Sequence, residues 1–257
     1  MSFWDDPPWR DGRAPQHLGL RPIERSAWLV DDPALIHNKR RQLTDRYPHA
    51  VGVAPGAAEP NYAAWELPWS AVSQYPDWIA NLGGGIAEDL CVLDVEDNLR
   101  LIAGVVAAPS YWRLPDKLGN SLWDVHQPVH GMNQRIGTNI DRFMHQVPLG
   151  QPFYRDNWFF HESSAYWSEP DVALLSQPIS TWVIRSEQQV VYRPTPRYVL
   201  FTIRVVFAAM ADLYRYPQTV APLLHALGAM DTTEIEHFGG VDKHRLITEH
   251  VSGLANG

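Results

Sequence analysis

The chain is poor in cysteine, in long apolar runs and in basic charge, and each shortage removes a class of function. A single cysteine, Cys91, allows no disulfide within the chain, no cysteine-rich zinc site and no all-cysteine iron–sulfur cluster. Redox chemistry, if there is any, draws its electrons from elsewhere. The longest apolar stretches, around 101–109 and 198–210, the second interrupted by Arg204, run for about ten residues, well short of the ~20 that span a bilayer. With 29 acidic residues against 21 Lys and Arg, the formal net charge is -8. Such a field disfavours phosphate polymers and anionic lipid, so neither nucleic acid nor a membrane is an expected partner. The opening residues, Met1-Ser2-Phe3-Trp4-Asp5-Asp6-Pro7-Pro8, lack the basic and apolar parts of a signal peptide, and the expected location is cytoplasmic. A G-x-x-x-x-G-K-[ST] loop and a G-x-S-x-G elbow are also missing, and Gly83-Gly84-Gly85 is followed by Ile86-Ala87-Glu88-Asp89 rather than by a dinucleotide fingerprint.

What the chain has in excess is aromatic: 11 Trp, 10 Tyr and 8 Phe, beside 21 Pro. Indoles at this density suit core packing, and they equally suit the enclosure of a large flat ligand. The 257 residues, 45% hydrophobic and 19% charged, are enough to bury a sizeable core. No linker, repeat or low-complexity tract divides them. Residues 1–30 read as an extended Pro- and Trp-rich arm lying on the body. Asp31-Asp32-Pro33 opens a helix over 34–47, limited by Pro48. After the triple glycine the pattern turns to strands: 90–95 and 99–108 form a hairpin about Glu96-Asp97-Asn98. A long irregular stretch follows, then an amphipathic helix over 136–146. Further strands are expected at 158–161, 179–184 and 197–207, and helix over 208–227 on either side of Pro217. This order indicates an antiparallel α+β fold, organised as an N-terminal arm and helical region, 1–85, packed on a body formed by 86–257.

Several residues carry chemistry in this frame. His126 and His130 are four apart, the spacing of two ligands on one helix face, but Pro128 between them argues against that helix. Cys91 sits in an apolar strand pattern, where a small buried thiol is the expected occupant. Arg155, Asn157 and Trp158 form a polar-aromatic group. Arg185, Glu187, Gln189 and Arg193 alternate along another strand, either as a solvated sheet face or as the polar wall of a cavity.

Taken in order, these segments resemble a known family. Ala108-Pro109-Ser110-Tyr111-Trp112, Lys117-Leu118-Gly119, Val125-His126-Gln127-Pro128-Val129, Arg155-Asp156-Asn157-Trp158, Arg185-Ser186-Glu187-Gln188-Gln189 and Phe201-Thr202-Ile203-Arg204 are similar to the ordered motifs of the heme-dependent oxidative N-demethylases. Glu88-Asp89-Leu90, Trp28 and Asp32 also fit. The resemblance implies a PAS-like antiparallel sheet with helices over one face enclosing heme b, beyond an N-terminal helical and irregular extension. It implies an oxidoreductase of monooxygenase type acting with O2 on an amine or guanidine compound, by N-demethylation or, as in a related arginine N-hydroxylase, by N-hydroxylation.

By the same resemblance His126 is the axial iron ligand and the chain's metal-binding residue. Lys117 and Arg155 hold the propionates, with Asn157, Trp158 and Trp112 also against the cofactor. Glu187, Gln188 and Arg185 form the catalytic wall, Glu187 orienting substrate or passing protons. Two departures stand out. Gln188 occupies the place of the family's Arg, which favours a cationic substrate, and His130 stands where the family has Pro. Without a recognisable flavin or NADPH site, a separate reductase is the expected electron donor. A heme-based gas sensor or carrier without turnover is the alternative. The chain's length, largely taken up by this one unit, leaves little room for an output module and favours the enzyme.

Overall fold

The computed structural model describes residues 3–15, 17–126, 137–168 and 178–255. Among them the apolar runs pair into one sheet: β1 Arg21–Pro22, β2 Val51–Val53, β3 Asp89–Asp94, β4 Arg100–Val105, β5 Phe153–His161, β6 Val183–Tyr192 and β7 Tyr198–Ala209. Their order is β1-β5-β6-β7-β3-β4-β2, and every neighbouring pair is antiparallel. The expected hairpin is β3–β4, turned through Asn98 and Leu99 at positive φ, with a register shift between Val92 and Leu93. The strand expected at 179–184 is corrected. Pro178 opens a tight 3-10 turn, Ile179–Thr181, whose backbone is bonded back on itself (Thr181 N to Pro178 O, 2.8 Å; Trp182 N to Ile179 O, 3.1 Å). Ladder pairing therefore begins only at Val183 and runs on to Tyr192.

Helix α1, Pro33–Asp45, starts where Asp32 Oδ1 accepts the N–H groups of Ala34 and Leu35, each at 3.1 Å, a cap worth about 1 kcal/mol. α2, Tyr47–Ala50, and α3, Trp78–Gly83, complete the N-terminal region. Between β4 and β5 lie α4, Leu122–His126, and α5, Thr138–Gln146. After β7 come 3-10 turns at Met210–Arg215 and Pro217–Thr219, then α6, Val220–Gly228. Two further helices, α7, Thr232–Phe238, and α8, Val241–Ala255, close the fold.

Strand period two gives the sheet two differently covered faces. On one, Cys91, Leu93, Val191, Val199 and Phe201 pack beneath Ile140, Phe143 and Met144 of α5. On the other, the N-terminal region brings Trp28, Leu43 and Leu82 over Leu90, Val92, Val190 and Leu200. Beside it the C-terminal helices bring Leu223, Leu227, Phe238, Ile247 and Val251 over Trp158, Phe160 and Ile184, with Trp4 and Trp9 of the arm. Each fully buried side chain of this kind contributes roughly 1.5–3 kcal/mol. Helices thus cover both faces rather than the single face expected. Residues before 86 supply β1 and β2 to the same sheet as the body. Among the described residues no helix is long and apolar enough to cross a membrane.

Candidate active site

The face of the sheet beneath α5 changes character along its length. Toward the β5 edge the apolar row gives way to Arg155 and Asn157 on β5 and to Arg185, Glu187 and Gln189 on β6. Register places Arg155 opposite Gln189 and Asn157 opposite Glu187. Glu187 is gripped from both sides. Its Oε1 accepts from Arg185 Nε (3.3 Å) and Nη2 (3.2 Å), and its Oε2 accepts from Gln189 Nε2 (3.0 Å). Arg185, only 1% exposed, also donates to Ala108 O at 2.7 Å. This alternation is therefore the largely buried wall of an interior and not a solvated face.

The connection after β4 carries the next two residues to this wall. It turns at Gly119, whose φ of +82° suits glycine. The turn lies so close to the sheet that a Cβ at Gly52 would meet Leu118 Cδ1 at 2.2 Å. Lys117 then donates to Val125 O at 2.8 Å, tying the turn to the last residues of α4. Ser121 Oγ accepts from Asp124 N (3.2 Å) at the start of that helix, and His126 ends it. Burial, and next the charges of Arg155 and Lys117, push the His126 imidazole down to about 4, so it is neutral with a lone pair to offer. Burial also lowers Arg155, to about 10, against the opposing pull of Glu187 and Asp156.

Two donors on this wall have no hydrogen-bond partner although buried: Arg155 Nε and Arg185 Nη1. An orphaned cationic N–H is costly, and two of them on one face point to anionic oxygens. Glu187 is the carboxylate on this face, and Asp156 and Asp89 add to the field around Arg155 and Arg185, yet these two N–H groups stay without an acceptor. Two spare cationic donors would suit the carboxylates of a heme's propionates. A neutral imidazole beside cations with spare donors would suit a heme, the imidazole holding its iron and the cations its propionates. Among the described residues no three His, Cys, Asp or Glu side chains gather to hold a metal ion by themselves.

Not every expected residue joins this group. Trp112 packs in the apolar cluster beneath α5. Gln188 and Trp158 are even-numbered neighbours of odd-numbered wall residues, and strand alternation turns both to the reverse face. There Gln188 accepts from Arg204, and Trp158, 0% exposed, is wedged among Trp9, Phe160 and Phe238. This parity puts both on the face opposite Arg155 and Glu187. His130 lies outside the described residues. Cys91 is a buried thiol, pushed up to about 12 by burial and Asp89. It is protonated and packed in the apolar cluster, as its strand pattern suggested.

Sequence reading missed His161, the last residue of β5 and on the same face as Arg155. It is 2% exposed, with Ser110 Oγ 3.3 Å from its Nε2 and the Tyr111 ring 5.0 Å away. Burial and then Arg185 and Lys243 push it down to about 3. Ser110 and Tyr111 belong to a motif already singled out; nothing in the sequence ties a lone strand-end histidine to them.

A search of curated proteins finds no match to the chain. The family model described as haem-dependent oxidative N-demethylase, alpha subunit-like, matches residues 34–245, a span that takes in Lys117, His126, Arg155 and the whole β5–β6 wall. The chain belongs to that family of heme-dependent oxidative enzymes.

Proposed function

We propose that the protein binds heme b on the polar face of β5 and β6 and uses it with O2 to oxidise a small amine or guanidine compound at, or next to, nitrogen. One observation carries this reading: the neutral imidazole of His126 lies in the field of Arg155 and Lys117, on a face where Arg155 Nε and Arg185 Nη1 are buried donors without a partner. In this reading His126 would hold the iron, and Lys117 and Arg155 would bind the propionates, with Arg185 on the same wall. When bound, the heme supplies O2 activation at its iron, and a separate reductase supplies the electrons, since the lone Cys91 cannot build a cluster.

The strand connectivity supports a PAS-like core. β3, β4, β5, β6 and β7 follow one another in the chain but lie in the order β5-β6-β7-β3-β4, and α5, which comes between β4 and β5 in the chain, packs on one face. The chain's own residues do the positioning. Glu187 is locked by Arg185 and Gln189 and presents a fixed carboxylate to a cationic substrate; fixed charge costs no reorganisation when the reaction occurs. Asn157 lies opposite it on β5. His161, kept neutral by burial and the charges of Arg185 and Lys243 and in contact with Ser110, lies at the end of the same wall, where it could pass a proton through its two nitrogens. The helix α5 and the apolar cluster beneath it keep water from one end of the wall. Since Gln188 faces the other way, the charge tolerated in this site is set by Glu187 and its arginines.

The test is spectroscopic first. Purified protein supplied with hemin is expected to show a strong Soret band and pyridine hemochrome, and His126→Ala to lose the band or change its coordination. A colourless protein refutes the proposal. Reduced protein mixed with O2 and dimethylamine or arginine should then release formaldehyde or an N-hydroxy product; stable O2 binding without either identifies a gas carrier instead.

A further inference from the structure

The reverse face of the sheet has a polar centre of its own. A cavity of about 230 Å³ lies where the N-terminal region crosses β5, β6 and β7, lined among others by Arg21, Trp28, Glu88, Gln188, Thr202 and Arg204. Its volume is that of about seven or eight water molecules, the size of a small amino acid and far below that of a porphyrin or nucleotide. Four of these residues come from motifs that the β5–β6 wall leaves unused, and strand alternation gathers them. Gln188 and Arg204 are direct cross-strand partners. Arg204 donates through Nε (2.8 Å) and Nη2 to Gln188 Oε1. Trp28 Nε1 donates to Thr202 Oγ1 at 2.8 Å, which fixes the indole as one wall.

Glu88 is the group that internal contacts do not satisfy. It is 2% exposed. Its Oε1 accepts from Val30 N at 3.4 Å, whereas its Oε2 is buried with no partner. The nearby Lys39 ammonium is spent on the Glu88 backbone carbonyl. A buried carboxylate oxygen without a donor is destabilising, and a ligand N–H would relieve it. The indole of Trp28 would add cation–π attraction for the same charge. Arg21, exposed above the Tyr154 ring at 4.8 Å, and Arg204, whose charge also acts on Glu88, supply the cations among the lining residues. One carboxylate and two guanidinium groups across so small a space match a molecule carrying both signs of charge.

We propose that this cavity is a second binding site, separated by the sheet from the β5–β6 wall, for a small zwitterion of the amino-acid class. The ligand's ammonium or guanidinium group rests on Glu88 Oε2 against Trp28, and its carboxylate faces Arg204 and Arg21. The inference stands whether or not heme binds on the opposite face.

Calorimetric titration of the heme-free protein with 4-aminobutyrate and β-alanine, zwitterions without the guanidinium group offered to the β5–β6 wall, followed in parallel by tryptophan fluorescence, tests it. At least one of the two is expected to bind saturably at one site. Butylammonium and butyrate, each lacking one charge, should bind at least about tenfold more weakly, as should the zwitterion to Glu88→Gln and to Arg21→Gln. Glu187→Gln, on the other face, should leave this affinity unchanged. Arg21 is exposed, so Arg21→Gln decides the matter should Glu88→Gln not fold. Absence of binding by both probes overturns the proposal. So does an affinity that Arg21→Gln and any folded Glu88→Gln leave intact, or that falls in Glu187→Gln instead.

Discussion

At the scale of single residues, the site depends on keeping His126 uncharged. Its proton affinity falls from about 6.5 unfolded to about 4 folded, so between those values the unfolded chain binds more protons than the folded one. By linkage, stability is complete above about pH 6.5 and is lost as pH falls toward 4. His161, pushed down to about 3, acts in the same direction and extends the loss lower. Thermal melts of the heme-free protein should therefore show a midpoint that falls steadily from pH 6.5 to 4, less steeply in His126→Gln. An equal slope in both proteins would show that position 126 is not the group responsible. Arg155→Gln tests the second requirement. Removing a buried guanidinium with a spare donor should weaken heme retention roughly tenfold or more in transfer to apomyoglobin, while the Soret position, which the proposed ligation by His126 would set, stays the same.

At the scale of elements, most of the sheet was legible because its strands alternate or run apolar between turn residues, as the β3–β4 hairpin does. What remained illegible was where β5 and β6 begin, and a strand's side-chain assignments depend on that. Phe153 to Asn157 mix aromatic, charged and amide residues, so the start of β5 carries no apolar signal. A turn bonded back to Pro178 delays β6 to Val183. Once pairing is known, parity separates Glu187 from Gln188 and Asn157 from Trp158, a division that motif order along the chain cannot supply. Trp158 makes the point measurable. Trp158→Ala should cost about 3–5 kcal/mol in denaturant unfolding, because the indole fills the cluster between Trp9 and Phe238, yet leave the heme spectrum of the folded fraction unaltered. A spectral shift would return Trp158 to the cofactor face. The C-terminal helices beyond 227 were not read from the sequence; α7 opens on Asp231-x-x-Glu234. Asp231 Oδ1 accepts from Glu234 N at 2.9 Å and Glu234 Oε2 accepts from Asp231 N at 3.2 Å, the reciprocal capping box. Asp231→Ala should cost about 1 kcal/mol and lower the melting temperature by about 2–4 °C.

At the scale of the whole molecule, the aromatic excess serves to join sequence-distant segments. Trp9 is 0% exposed, donates through Nε1 to Thr219 O at 2.9 Å, and meets the Trp158 ring at 5.5 Å. Trp4 stacks on Tyr216 at 4.9 Å. From the same arm, the Pro15 carbonyl accepts from Arg155 at 3.4 Å, and Arg10 pairs with Asp156 at 3.0 Å. The arm therefore seals the cluster under the C-terminal helices and reaches the strand that carries the wall. Trp9→Ala would open a cavity among Trp4, Trp158 and the α6–α8 layer and strand the Thr219 carbonyl, a loss of about 3–5 kcal/mol. For a chain of this length that corresponds to a melting temperature lower by roughly 10 °C. The coupling to β5 makes a sharper expectation. If the arm positions Arg155, heme affinity should fall in Trp9→Ala at a temperature where the variant is still fully folded by circular dichroism. If the arm only adds packing, the variant melts early but takes up heme as the parent does, and these two outcomes are separable in one titration at 15 °C below its melting point.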